Sequence, residues 1–118
     1  MAKILIVDNV AHVRSLIKII LAEGGHEVIG EASNGSEAVE KYHQFKPDLV
    51  TMDITMPVMD GIEAVKQIKL KDLKAKIVMC SALEPLAVQA IQAGAIDFVV
   101  KPFDIDRFLA AVNRVLAG

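Results

Sequence analysis

Cysteine is almost missing from this chain. Cys80 is the one thiol in 118 residues, which excludes an internal disulfide and any cysteine-based zinc cluster. Aromatic residues are 4% of the total, with one Tyr and no Trp, so little is available to stack on a planar ring. No apolar run reaches the length that spans a bilayer. Met1-Ala2-Lys3 leads into an apolar stretch of only four residues, too short for the core of a secretory signal. Neither sign of charge dominates. Thirteen Lys and Arg against 15 Asp and Glu give a net charge of −2, without the basic excess that marks nucleic-acid binding. These absences predict a soluble, cytoplasmic protein that binds neither nucleic acid nor membrane.

What remains is sufficient for one core. The chain is 53% hydrophobic and 24% charged, which argues against disorder, and its length is that of a single domain, 1–118. Short apolar blocks alternate with longer amphipathic stretches. Ile4-Leu5-Ile6-Val7 has no polar interruption, as expected of a strand covered on both faces. Glu27–Ala32 (weakened by Gly30), Leu49–Met52, Ile77–Cys80 and Phe98–Val100 are similar.

Between the strands the apolar period is helical. Val10, Val13, Ile17, Ile20 and Leu21 define a first helix that stops at Gly24-Gly25. Ala38, Val39 and Tyr42 define a second, starting near Asn34–Ser36 and ending before Pro47. Ile62, Val65 and Ile68 define a third; Leu86, Ala87, Ala90 and Ile91 a fourth, from Pro85 to Gly94; Phe108, Leu109, Val112, Val115 and Leu116 a fifth, capped by Asp104 or Asp106. The pattern predicts an α/β fold of type (βα)5, with a parallel sheet, right-handed crossovers and helices on both faces.

Ligands of open α/β sheets bind beyond the carboxyl ends of the strands, where strand order reverses. There the chain places Asp8 and Asn9 after the first strand, Asp53-Ile54-Thr55-Met56-Pro57 after the third, Ser81-Ala82 after the fourth and Lys101-Pro102-Phe103 after the fifth. Oxygen donors of this kind suit a hard divalent cation such as Mg²⁺. A carboxylate beside such a cation can act as nucleophile toward phosphorus, with a lysine and a hydroxyl to contact the phosphoryl oxygens.

These residues also resemble a known family. Ile4–Asp8, Pro47–Pro57 with Met59-Asp60-Gly61, Cys80-Ser81-Ala82, Ala93-Gly94-Ala95 and Val100-Lys101-Pro102-Phe103 occur in order over essentially the whole chain. The chain resembles the receiver domain of two-component response regulators, closest to the single-domain chemotaxis type. The resemblance implies a doubly wound, flavodoxin-like sheet of order 2-1-3-4-5. It implies Asp53 as phosphoacceptor, and Asp8, Asn9, Asp53 and the main-chain carbonyl of Thr55 around Mg²⁺, with Mn²⁺ able to stand in. It further implies Lys101 as charge partner joined to Pro102 by a cis peptide, Ser81 as phosphoryl contact and switch residue, and Phe98 as switch aromatic. Self-catalysed phosphoryl transfer and autodephosphorylation are expected of Asp53. The partners implied are a sensor histidine kinase and an output protein: a flagellar motor switch component, a phosphatase or a phosphorelay protein. The output surface would be the face made by the fourth helix, fifth strand and fifth helix of a monomer.

One position departs from the pattern. The family carries two adjacent acids after the first strand, and here the second is Asn9. An amide oxygen brings no charge, so weaker Mg²⁺ binding is expected. The alternative function is therefore a degenerate or engineered receiver, a binding module with weak metal binding or phosphate-independent activity. Two enzymatic or cofactor readings fit less well. A haloacid-dehalogenase-type phosphatase needs an acid where Thr55 stands, and a flavodoxin-like flavin binder needs a phosphate cradle after the first strand. His12, His26 and His43 lack ligand spacing and are expected at the surface. Cys80 is expected to be a small buried hydrophobe; Val10, Ala11 and Val13 stand where a kinase or phosphotransferase helix could dock, with core packing an equal account of Val13 and Val10.

Overall fold

A computed structural model describes residues 2–118; Met1, and with it the start of the segment weighed above as a signal, lies outside the described residues. The apolar blocks become β1 (Lys3–Val7), β2 (Glu27–Ala32), β3 (Leu49–Met52), β4 (Ile77–Ser81) and β5 (Asp97–Val100). All pair in parallel, in the order β2-β1-β3-β4-β5. Between them run α1 (Ala11–Glu23), α2 (Gly35–Phe45), α3 (Gly61–Lys71), α4 (Ala87–Ala93) and, last, α5 (Ile105–Ala117).

Strand side chains alternate faces, and β1, β3 and β4 are dry on both, which is why these central strands are almost wholly apolar, whereas the edge strand β2 carries Glu31 and β5 ends exposed. Leu5, Val7, Val50, Met52, Ile77 and Met79 pack under α2, α3 and α4 through Ala38, Tyr42, Ala64, Val65, Ile68 and Ala90. Their neighbours Ile4, Ile6, Leu49, Val78, Cys80 and Val99 face α1 and α5 through Ile17, Ile20, Leu21, Phe108, Ala111 and Val112. The pairing of β1 with β2 slips between Ile4 and Leu5, which pair with Val28 and Gly30, so that Ile29 is the extra residue of a bulge on the sheet edge.

Caps set the helices that border the site. The Asn34 side chain accepts from Glu37 N at 2.8 Å, and Asp60 accepts from Glu63 N at 2.8 Å. Asp104 is the cap residue of α5 but makes no side-chain capping bond.

Three expectations need correction. Val10 is the cap residue of α1 and is exposed, because the turn after β1 precedes the first helical residue. The fourth helix begins with a 3-10 turn, Glu84–Leu86; α4 proper starts at Ala87, has seven residues and leaves Ile91 exposed. His43 is not a surface imidazole at its tip: its Nε2 is buried with no hydrogen-bond partner among the described residues, and the ring sits edge-on to Tyr42.

Candidate functional site

The loops after β1 and β3 diverge because β1 sends its chain to β2 on one side while β3 lies on the other. The crevice that results holds two buried carboxylates. Asp8 leaves β1 with its N–H donated to Ala32 O at 3.0 Å, and Asp53 leaves β3 with its N–H donated to Val7 O at 3.0 Å. Asp8 is 1% exposed and Asp53 8%. Lys101 leaves β5 with its N–H donated to Ser81 O at 2.9 Å, and the Lys101-Pro102 peptide is cis, as expected. Its Nζ donates to Asp8 Oδ2 at 2.6 Å and lies 3.7 Å from Asp53 Oδ1. The ammonium thus sits between the two acids, which lie within about two hydrogen-bond lengths of each other.

Burial dominates the electrostatics. It pushes the Asp53 carboxyl above its ordinary range; Asp8 adds to the rise, and Lys101 and the Ile54 amide oppose it. Burial also works against the Lys101 ammonium, but the hydrogen bond to Asp8 and the charges of Asp53 and Asp8 outweigh it and raise its pKa. Asp53 is therefore a carboxylate poorly stabilised by solvent, held next to a cation that keeps its proton. Burial pushes the Cys80 thiol up to about 12, so it is the inert hydrophobe expected.

The remaining predicted residues differ in how closely they join this cluster. Ser81 is 1% exposed at the end of β4, and its Oγ accepts from Leu83 N at 3.1 Å. Its hydroxyl is engaged with its own loop rather than with the acids. Asn9 and Thr55 are exposed at the rim. Phe98 is half-buried on β5, paired with Met79 and packed against the layer under α4. Val13 is half-buried on the α1 and α5 side, whereas Ala11 is exposed.

Two glycines let the loop after β3 close on the site. Gly61 donates to Ile54 O at 2.8 Å, and a Cβ there would stand 1.9 Å from Asp53 O. Gly35 donates to Met59 O at 2.8 Å, and a Cβ there would stand 2.4 Å from the same oxygen. Between these points Val58 has φ 69, a left-handed conformation rare for a β-branched residue, and the residue is 86% exposed.

Reading the sequence alone missed Arg14 and Glu31. Arg14 NH1 donates to the main-chain oxygen of Asp8 at 2.6 Å, while its Nε donates to Glu31 Oε1 at 3.0 Å. The available signal was an arginine one helical turn past the start of α1, facing the site rather than solvent.

No group of three or more His, Cys, Asp and Glu converges as a metal site among the described residues. The donors are hard oxygens: the Asp8 and Asp53 carboxylates, with the Asn9 amide and the Thr55 carbonyl at the rim. Their chemistry fits Mg²⁺, with one negative charge fewer than a third acid would give. No helix among the described residues is long and apolar enough to cross a membrane.

Comparison with known proteins agrees with this geometry. The model of the response regulator receiver domain matches residues 4–113. The chemotaxis protein CheY of Bacillus subtilis is 58% identical over 116 residues, 97% of either chain, and that of Thermotoga maritima 53% identical over 115 residues, 96% of either. Among solved structures, the CheX-CheY-BeF3-Mg²⁺ complex from Borrelia burgdorferi superposes with TM-score 0.92 at 38% identity, covering 96% of this chain and 87% of that one. The response regulator TrrA from Thermotoga maritima, in complex with Mg²⁺-BeF, gives TM-score 0.91 at 35% identity, covering 98% and 99%.

Proposed function

Since this chain belongs to the response regulator receiver family, with relatives in chemotaxis, we propose that residues 1–118 act as one phosphorylation-activated switch with Asp53 as phosphoacceptor. The observation that carries this reading is the ammonium of Lys101 set between the buried carboxylates of Asp8 and Asp53. An Asp53 oxygen attacks the phosphorus of a phosphohistidine on a sensor kinase. The bond from phosphorus to the histidine nitrogen breaks, and that nitrogen keeps the electron pair. Asp8, Asn9, Asp53 and the Thr55 carbonyl would hold Mg²⁺, or Mn²⁺ in its place, which when bound neutralises charge on the acids and on the phosphoryl oxygens.

The consequence of phosphorylation is a population shift. Lys101 exchanges its hold on Asp8 for the phosphoryl group. Ser81 Oγ leaves Leu83 N for a phosphoryl oxygen, and Phe98 turns into the space this opens. The face of α4, β5 and α5 then changes its affinity for an output protein, whether motor switch component, phosphatase or phosphorelay protein. Val88, Ile96, Val100 and Ile105 are exposed on these elements and the turn before β5, which is the apolar character a docking face needs. The protein in this reading is a cytoplasmic monomer.

A second reading has one specific support. Asn9 leaves the acidic pair incomplete, and a receiver too poor in charge to hold Mg²⁺ would work as a phosphate-independent binding module. Intact mass after incubation with a small phosphodonor and Mg²⁺, beside Asp53→Asn, decides between them. A gain of one phosphoryl group in the parent alone is expected. No gain in either overturns the switch and leaves the binding module.

A further inference from the structure

Asp8 has no free polar group. Its N–H goes to Ala32 O, its Oδ1 accepts from Val10 N at 2.9 Å, and its Oδ2 accepts from Lys101. Its carbonyl is the group that the sheet cannot satisfy, since β1 ends at Val7 and the chain turns away. A buried carbonyl left unpaired is costly, and here a side chain supplies the donor: Arg14, at 2.6 Å.

Arg14 is itself aimed. Its Nε donates to Glu31 Oε1 at 3.0 Å, and its side chain is only 18% exposed. Glu31 stands on β2 beyond the bulge, where Lys41 donates to its main-chain oxygen and Lys18 Nζ lies 3.9 Å from Oε2. A fork that bonds a carbonyl with one arm and a carboxylate with the other fixes both, which lysine cannot do. Glu31 also cancels the arginine's charge, so the guanidinium approaches the acidic crevice without repelling a cation bound there.

We propose that Arg14, held by Glu31, is a positioning residue for Asp8: it sets the Asp8–Val10 turn in the form that receives the cation. This rests on the reading of Asp8 as a cation-binding acid. It bears more on this chain than on one with two acids, because Asn9 brings no charge and Asp8 must supply the attraction from a fixed place. Groups that orient a metal ligand typically change affinity 10- to 100-fold when removed.

The test has two arms. In the metal-free protein, amide hydrogen exchange is measured at Val10, whose N–H is bonded to Asp8 Oδ1. Arg14→Gln should lose that protection and Glu31→Gln should weaken it, while the amides of β3 keep theirs. Unchanged protection at Val10 in Arg14→Gln overturns the proposal. In the second arm Mg²⁺ affinity is measured by calorimetry. Arg14→Gln should bind at least about tenfold more weakly, Arg14→Lys should fall between it and the parent, and the double variant Arg14→Gln, Glu31→Gln should match Arg14→Gln because Glu31 acts through Arg14. A lowered melting temperature with parental Mg²⁺ affinity would reduce Arg14 to a fold contact and overturn the proposal. A parent that binds no Mg²⁺ would instead refute the metal reading, and the exchange arm would then judge the clamp alone.

Discussion

At the scale of single residues, Asp53 is a destabilising charge in the resting protein. Burial raises its folded pKa above the unfolded value. Its contribution to stability is therefore fully present below the unfolded pKa and is lost as pH rises through the folded pKa. Asp53→Asn should raise the melting temperature at pH 7 by a few degrees, and the gain should vanish as both proteins are taken below the ordinary carboxylate range. Thermal unfolding of the pair across pH checks this; an advantage that grows on acidification would contradict it. Val58 is strained for a different reason: a β-branched side chain in the left-handed region, with solvent around it and no packing to compensate. Val58→Asn, whose side chain tolerates that conformation, should stabilise by about 1 kcal/mol in urea unfolding.

At the scale of elements, β3 carries a polar flaw. Thr51 is 1% exposed, and its Oγ1 has no hydrogen-bond partner among the described residues. Thr51→Val keeps the shape and removes the hydroxyl, and it should stabilise by about 1 kcal/mol as read from the denaturation midpoint. In α5 the opposite holds. Phe108 is fully buried and stacks on Phe103 with ring centroids 4.8 Å apart, so Phe108→Ala should cost about 3–5 kcal/mol. The central strands were readable from sequence because two dry faces demand nearly unbroken apolar runs, while the edge strand β2, half-buried and carrying Glu31, gave the weaker signal. The ends of α1 and α4 were not. Val10 has the right spacing for α1 but belongs to the turn that Asp8 organises, and Pro85 starts a 3-10 turn before the α-helix forms. Spacing alone also cannot tell a buried Ala90 from an exposed Ile91 on so short a helix.

At the scale of the molecule, the site is a charge balance spread over strands distant in sequence. One ammonium serves two carboxylates, and position 9 is neutral. Asn9→Asp should tighten Mg²⁺ binding by roughly tenfold or more, since ligand charge tunes affinity for hard cations. The same change should lower the metal-free melting temperature by adding a third negative charge at the rim, and Mg²⁺ should restore it. Equal Mg²⁺ affinity in the two proteins, by calorimetry, would remove position 9 from the ligand set. That Asp8, Asp53 and Lys101 meet was legible in the sequence, because fold topology brings strand ends together regardless of detail. What each does at rest was not: Ser81 turned to Leu83, and Arg14 reaching back from α1, depend on local geometry that no spacing rule encodes.

The two clips at Gly35 and Gly61 divide the rim of the crevice into unequal parts. Where a hydrogen atom is the largest substituent that fits, evolution has no latitude, and both ends of the stretch after Asp53 are frozen in this way. The side chains of Thr55 and Val58, suspended between them and open to solvent, can be exchanged without disturbing either anchor. A change of docking preference at this rim is most cheaply made by altering the side chains of Thr55 and Val58.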